Sequence, residues 1–335
     1  NSKLYYFLQS KDKNYRLISQ NNFQGLTSGT EIEVKGKIFE NKIFIEDINN
    51  FNLVDKPNPT HTEETLGEQK VAVILVNFRD YQVQDYTKEQ IREMIFGKVN
   101  DFYRENSYQR TWFSGGLEDI YGYYTLDIDR REACNIAIAS VGMDIADNEI
   151  YYPNYDRIII IFAGDRSLSS CWFDGYASIG KIIYPTQDGD VLLSFSAILA
   201  PNQNYPPIGL SDYVINHELG HNYGAIHANQ LDCNEFSVPN NNVCNHIKYG
   251  DRYSVMGTSN GGVIPGRKSY HFNAPHKDLF RWLNNDEIIT VTQSGTYDVS
   301  PIEFNEISLP QNRIRNKIKA IKIPIQGEDL DYYIE

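Results

Sequence analysis

Two stretches of this chain are almost continuously apolar. VAVILVNF spans residues 71–78, and IIIIFA lies within YDRIIIIFAG at 155–164. Continuous β-branched runs of that length predict strands buried on both faces. YGYYTLDI (121–128), KIIYPT (181–186) and DVLLSFSAIL (190–199) predict three more strands. Between them the period changes. TKEQIREMIFGKVNDFYREN (87–106) puts Ile91, Met94, Ile95 and Val99 on one helical stripe, with Thr87 as N-cap and Gln90 three residues on. REACNIAIASVGMDIADNEI (131–150) predicts a second helix. Strands alternating with helices predict a mixed α/β domain whose sheet is covered by helices.

The flanks follow a different rule. Residues 1–55 (KLYYFLQ, YRLIS, SGTEIEVKGKIF, NKIFIEDINNFNLV) alternate with a period of two between polar breaks, which predicts a small all-β module. KPNPTHTEETLGEQ, residues 56–69, has no periodicity and reads as a linker. The α/β domain then covers 70–287. From 288 to 335 the pattern is β again (EIITVTQSGTYDVSPI, IKAIKIPI, YYIE), predicting the start of a C-terminal β module. The chain opens at Asn1 without a basic-then-apolar leader and ends within a strand-like stretch. This predicts a processed or trimmed start and a natural chain that runs on.

Composition narrows the function classes. A hydrophobic share of 41% and 24 tyrosines describe a folded globular chain. No apolar run approaches the ~18 residues of a membrane span. The net charge of −13 predicts an acidic surface and argues against nucleic acid, whose phosphates want a basic face. Four cysteines, none in a CxxC pair, predict an exported protein rather than a thiolate zinc site. Cys233 pairs most simply with Cys244, eleven residues away in a polar loop, which leaves Cys134 for Cys171. Four free thiols are the competing state.

The chemistry concentrates in HELGHNYGAIH, residues 217–227. Ser211 is a good N-cap, and Val214, Ile215 and Leu219 give an apolar face. On a helix, His217 and His221 stand one turn apart on the same face, so both imidazoles can bind one ion. Glu218 lies one position round, where a carboxylate handles a metal-bound water instead of ligating the metal. Gly224 fits a helix that stops and turns sharply, since glycine takes positive φ at little cost. That turn would return His227 to the same ion as third ligand. Three neutral nitrogens with one open position describe a catalytic Zn²⁺ site. Histidines merely packed in a core or solvated are the competing explanation, and it suits a lone histidine better than this spacing. His61, His246, His271 and His276 read as structural or exposed.

Twenty-nine residues after His227 comes Met256, in YGDRYSVMG. Met94 and Met143 fall in the predicted helices, as core residues, whereas Met256 lies in a Gly-flanked turn. Together HELGHNYGAIH and the SVMG turn resemble a metzincin zinc endopeptidase. That resemblance implies a hydrophobic methionine floor under the three zinc histidines. With VAVILVNFRD, CWFDGYASIG and HFNAPHKDLFRWL included, residues 70–285 are most similar to the gametolysin-like peptidases, family M11. There are two departures. The family's namesake opens its zinc motif with Gln where this chain has HExxH. Astacin- and serralysin-like members carry a tyrosine two residues after the turn methionine that approaches the zinc. Thr258 stands there in this chain, so no tyrosine ligand is carried over.

The resemblance implies a secreted endopeptidase with Glu218 as general base and acid. The substrate would be an extended extracellular polypeptide, with glycoproteins as the family's precedent. DVLLSFSAIL is the candidate edge strand for pairing with substrate, and GTSNGGVIPG after Met256 the candidate pocket wall. Residues 1–66 would be either an inhibitory propeptide, blocked through His61, Glu63 or Glu64 because no cysteine precedes Cys134, or a non-inhibitory β module. A catalytically weak metzincin-like adhesion protein and a zinc amidase acting on non-peptide amides are the alternatives. Asp- and Asn-rich loops (DIDR, DGD, NNDE) offer oxygen donors to Ca²⁺, though none has EF-hand spacing. No feature sets an oligomeric state.

Overall fold

A computed structural model of the chain describes residues 6–9, 14–19, 31–39, 42–45, 51–55, 65–132, 138–164, 173–201, 210–233, 244–257, 270–303, 317–325 and 331–335. The chain divides into two compact units, Asn1–Thr60 and His61–Glu335.

In the first unit the alternating pattern produces short strands. They are β1 (Tyr6–Gln9), β2 (Asn14–Ser19), β3 (Glu31–Val34), β4 (Lys37–Phe39), β5 (Lys42–Ile45) and β6 (Phe51–Asp55). Four form a sheet in the order β1-β2-β5-β4, and β3 pairs with β6. In β5 the buried residues are Ile43 and Ile45, two apart, as a one-sided strand requires.

In the second unit the two apolar runs lie side by side. They are β7 (Gly67–Phe78) and β10 (Arg157–Ala163), paired in parallel from Val71↔Arg157 to Val76↔Phe162. Val71, Val73 and Leu75 of β7 face one core, and Ala72, Ile74, Val76 and Phe78 face the other. In β10, Ile159 and Ile161 join the first core and Ile158, Ile160 and Phe162 the second. Layers on both faces of the sheet explain why these strands are continuously apolar.

The remaining strands of the sheet are β8 (Thr111–Ser114), β9 (Ile120–Leu126), β11 (Gly175–Ala177), β12 (Ile182–Thr186) and β13 (Gly189–Ala200). The order is β11-β13-β10-β7-β8, with β12 on β13 and β9 on β7. β10 and β13 run parallel, whereas β11 and β12 pair antiparallel with β13. This corrects the assignment of DVLLSFSAIL as the edge. β13 is an interior strand, flanked by β10 on one side and by β11 and β12 on the other. Its alternating core contacts to both layers are those of a central strand. Among the described residues β11 and β12 form the edge on this side of the sheet.

The first helical segment begins as expected. Thr87 accepts from the Gln90 amide, and the Gln90 side chain accepts from the Thr87 amide. It runs as α1 (Lys88–Arg92), widens to a π-helical turn over Glu93–Val99, and resumes as α2 (Asn100–Asn106). Ile91, Ile95 and Val99 are buried, but Met94 packs partly buried against the core rather than inside it, a correction to its expected core place. The π-helical turn widens the helix where Met94 sits. The second helix, α3 (Ile138–Ala146), carries Met143 into the other core and is shorter than 131–150. Arg130–Glu132 form a separate 3₁₀ turn, and Asp147–Asn148 already belong to a turn. Three further strands, β16 (Ile288–Thr290), β17 (Ala320–Pro324) and β18 (Asp331–Ile334), form one small sheet within the second unit. Tyr108, after α2, donates to the Ile302 carbonyl at 2.5 Å, tying the segment to the α/β layer. The second unit is thus a mixed α/β structure with a seven-stranded sheet. No helix of the described residues is long and apolar enough to cross a membrane.

Candidate metal centre

Helix α4 (Asp212–Asn222) lies on the first core through Val214, Ile215 and Leu219. Ser211 caps it, accepting from the Val214 amide. Its far end closes as the glycine predicts. Gly224 has φ +101°, its amide donates to the His221 carbonyl at 2.8 Å, and the Ala225 amide donates to the Gly220 carbonyl at 3.1 Å. Those two bonds are the paired closure of a left-handed helix terminus.

The chain then returns His227 to the helix. His217, His221 and His227 offer ring nitrogens that all lie within 4.8 Å of one another, and His221 Nε2 is 3.1 Å from His227 Nε2. Among the described residues this is the one group of three metal-donor side chains that converges. His217 Nδ1 lies 2.8 Å from the Val255 carbonyl, and His221 Nδ1 lies 2.7 Å from the Ala225 carbonyl. A carbonyl can only accept, so each Nδ1 carries the proton and each Nε2 lone pair is left for an ion.

Burial keeps the rings neutral. Desolvation, then the neighbouring His221, lowers His217 to about 3. Desolvation, then His221, lowers His227 to about 4, and desolvation lowers His221 as well. Glu218, only 6% exposed, goes the other way: burial first and Asp174 second push its carboxyl up to about 8. A dication at the histidines would oppose both causes and favour the carboxylate. Three neutral imidazoles converging on one point, with a buried carboxyl on the next residue, fit a zinc ion better than calcium or magnesium, which prefer oxygen.

Several residues that the sequence analysis passed over hold this arrangement. Gly175 of β11 leaves room for Glu218, whose Cγ would lie 2.7 Å from any Cβ there. Gly220, inside HELGH, lets Met256 Sδ and Phe272 approach the helix; a Cβ would collide with both, meeting Phe272 Cε1 at 2.8 Å. Met256 is fully buried, with its Sδ against Gly220 of α4. A glycine in mid-helix was the available signal for this approach.

Asn222 and Arg157 lock the helix end to the sheet. Asn222 Nδ2 donates to the Phe195 and Ser178 carbonyls at 2.8 and 3.0 Å, and its Oδ1 accepts from Ser196. The buried Arg157 guanidinium donates to the Asn222 carbonyl, Gln69 and Ser194 and stacks 3.9 Å over the Tyr223 ring.

On the other side, the Ala228 amide donates to the Met256 carbonyl, and the Asp251 amide to the Ala228 carbonyl. Tyr213 donates to the Gly257 carbonyl at 2.6 Å. His276 is buried, with a hydrogen bond to the Ile226 backbone beside His227. His271 is also largely buried, and His246 is exposed.

Cys233 and Cys244 form a disulfide. It closes the hairpin of β14 (Gln230–Asp232) and β15 (Asn245–Ile247). Cys134, Cys171, His61, Glu63, Glu64, Thr258 and the rest of the GTSNGGVIPG stretch beyond Gly257 lie outside the described residues. Of the calcium candidates, Asp127 and Asp129 both pair with Arg79, and Glu287 pairs with Arg110. No protein-family model matches the sequence, and no curated protein matches it.

Proposed function

We propose that this chain is a zinc-dependent endopeptidase of the metzincin type, similar to the gametolysin-like peptidases. One observation carries the proposal: three neutral imidazoles converge beside a buried carboxyl group that follows the first of them in sequence. Zinc held by His217, His221 and His227 would supply Lewis acidity and acidify water at its open position.

The remaining roles belong to the protein. Glu218, as carboxylate, takes a proton from the attacking water and returns it to the departing amine nitrogen. Its burial excludes bulk water that would otherwise compete for that proton. The Val255 and Ala225 carbonyls keep His217 and His221 in their working tautomer. Gly175 places the backbone of the edge strand β11 against Glu218, so an extended polypeptide pairing along β11 brings its scissile carbonyl to the carboxylate. The Cys233–Cys244 disulfide fits a secreted, oxidising setting, where substrates are extracellular proteins or glycoproteins.

The test is Glu218→Gln in the full chain. The expected variant binds one zinc per chain as the wild type does and loses peptide hydrolysis by about 10²–10⁴-fold. Zinc-loaded Glu218→Gln that cleaves peptides at the wild-type rate would refute the proposal. Zinc binding by a wild type that cleaves nothing would favour the adhesion-protein alternative.

A further inference from the structure

The residue stacked most closely on the histidine cluster is neither a ligand nor part of the helix. Tyr249 lies with its ring centroid 3.9 Å from that of His227, at 35° between planes, and 6.1 Å from that of His217. His217 and His227 are themselves stacked at 5.3 Å, so Tyr249 closes a triangle of rings with these two histidines. The Tyr249 phenol is half-buried, and the Glu218 carboxyl and the Tyr213 hydroxyl both lie within electrostatic reach of it. The ring therefore lies against two of the three histidines.

The backbone is built to put it there. Tyr249 has φ +57°, a left-handed conformation uncommon for a bulky residue. Its amide donates to Asn229 Oδ1 at 2.8 Å, two residues beyond His227. The Gly250 amide donates to the Ile247 carbonyl, and the Asp251 amide to the Ala228 carbonyl. Between Asn229 and Tyr249 runs the disulfide-closed hairpin of β14 and β15. A backbone strain held by specific bonds at such a place points to use of the side chain.

Accepting the peptidase assignment, we propose that Tyr249 is a further catalytic residue: its phenol hydroxyl donates a hydrogen bond to the scissile carbonyl oxygen as that oxygen gains negative charge. The hydroxyl keeps its proton throughout; only the hydrogen bond strengthens. A donor placed where charge develops lowers the barrier without reorganising during the step. The donor comes from the segment before the methionine turn, a different place from position 258.

The experiment compares Tyr249→Phe with wild type in the full chain. Phenylalanine keeps the ring on His227 and removes only the hydroxyl. The expected variant holds one zinc per chain, melts at the wild-type temperature and keeps KM within about twofold. Its kcat falls by about 10²-fold, the usual effect of deleting one oxyanion donor. A phosphinic peptide, whose tetrahedral oxygens stand in for the oxyanion, should bind the variant at least tenfold more weakly. An active wild type with unchanged kcat and unchanged phosphinate affinity in Tyr249→Phe overturns this role and leaves the peptidase assignment standing. A wild type that binds zinc but neither cleaves peptides nor binds the phosphinate overturns both.

Discussion

The two walls of the histidine centre are made differently. One is α4 on the seven-stranded sheet, with His217, Glu218 and His221 fixed by regular structure and by the buried bonds of Asn222 and Arg157. The other carries His227, Tyr249 and Met256 on irregular chain. It is held by single backbone bonds, a short hairpin and a disulfide. The first wall is part of the core, so disturbing it should unfold the domain. The second joins the core through Ala225, Ala228, Val255 and Met256 but leaves its hairpin exposed, so disturbing the hairpin should loosen the site before the fold.

Acid should give the largest effect, and it acts on both walls. His217 and His271 titrate at about 3 in the folded chain, and His227 and His276 at about 4, all lowered first by burial; His221 is lowered too. Unfolded histidines take up protons near pH 6.5, so between there and pH 3–4 the unfolded state binds more protons. Stability of the metal-free chain should be intact above pH 6.5 and lost as pH falls through that window. Glu218, raised to about 8, works in the opposite sense from pH 8 down to its unfolded value near 4.5, as do Asp85 and Glu335, also raised by burial, but they are three groups against five. Urea midpoints in chelator at pH 7 and pH 4.5 check this. A midpoint that does not fall would mean that these imidazoles are not buried neutral.

Asn222→Ala separates the walls. It strips a donor from the Ser178 and Phe195 carbonyls at the helix end. The expected loss is about 2–4 kcal/mol of unfolding free energy, from the buried Ser178 carbonyl and Ser196 hydroxyl losing Asn222, while the Phe195 carbonyl keeps the Ser178 amide. Zinc affinity at a temperature where the variant is still folded should change little, because His217 and His221 keep their carbonyl partners. A folded variant with wild-type stability would show that the helix end is not anchored through Asn222.

Replacing Cys233 and Cys244 with serine should cost less, about 2–3 kcal/mol at most for a loop of this length. Its signature should be local. Zinc should bind more weakly and proteases should nick the hairpin first, while the α4 amides keep their protection from hydrogen exchange. Loss of protection across α4 would erase the distinction between the walls.

The two walls also differed in how far they could be read in advance. A helical period relates neighbours three and four apart, so His217, Glu218, His221, the Ser211 cap and the Gly224 stop were all visible in local spacing. The same holds for β7, β10 and β13, whose composition follows from burial on two faces. Placement of β13 in the sheet was misjudged because strand order is a long-range property. The three residues of β11 at the sheet edge carry too short a pattern to announce a strand.

The sequence by itself therefore determined the longer elements, the turn that brings His227 back, and a donor set suited to zinc. Each of these depends on residues close along the chain and on chemistry that travels with the residue type. Only the tertiary structure decided which strand faces Glu218, why positions 175 and 220 must be glycine, and that Tyr249 lies on His227. Those facts are distances between segments dozens of residues apart. They are set by how the sheet, helix and hairpin pack together, and no local period records them.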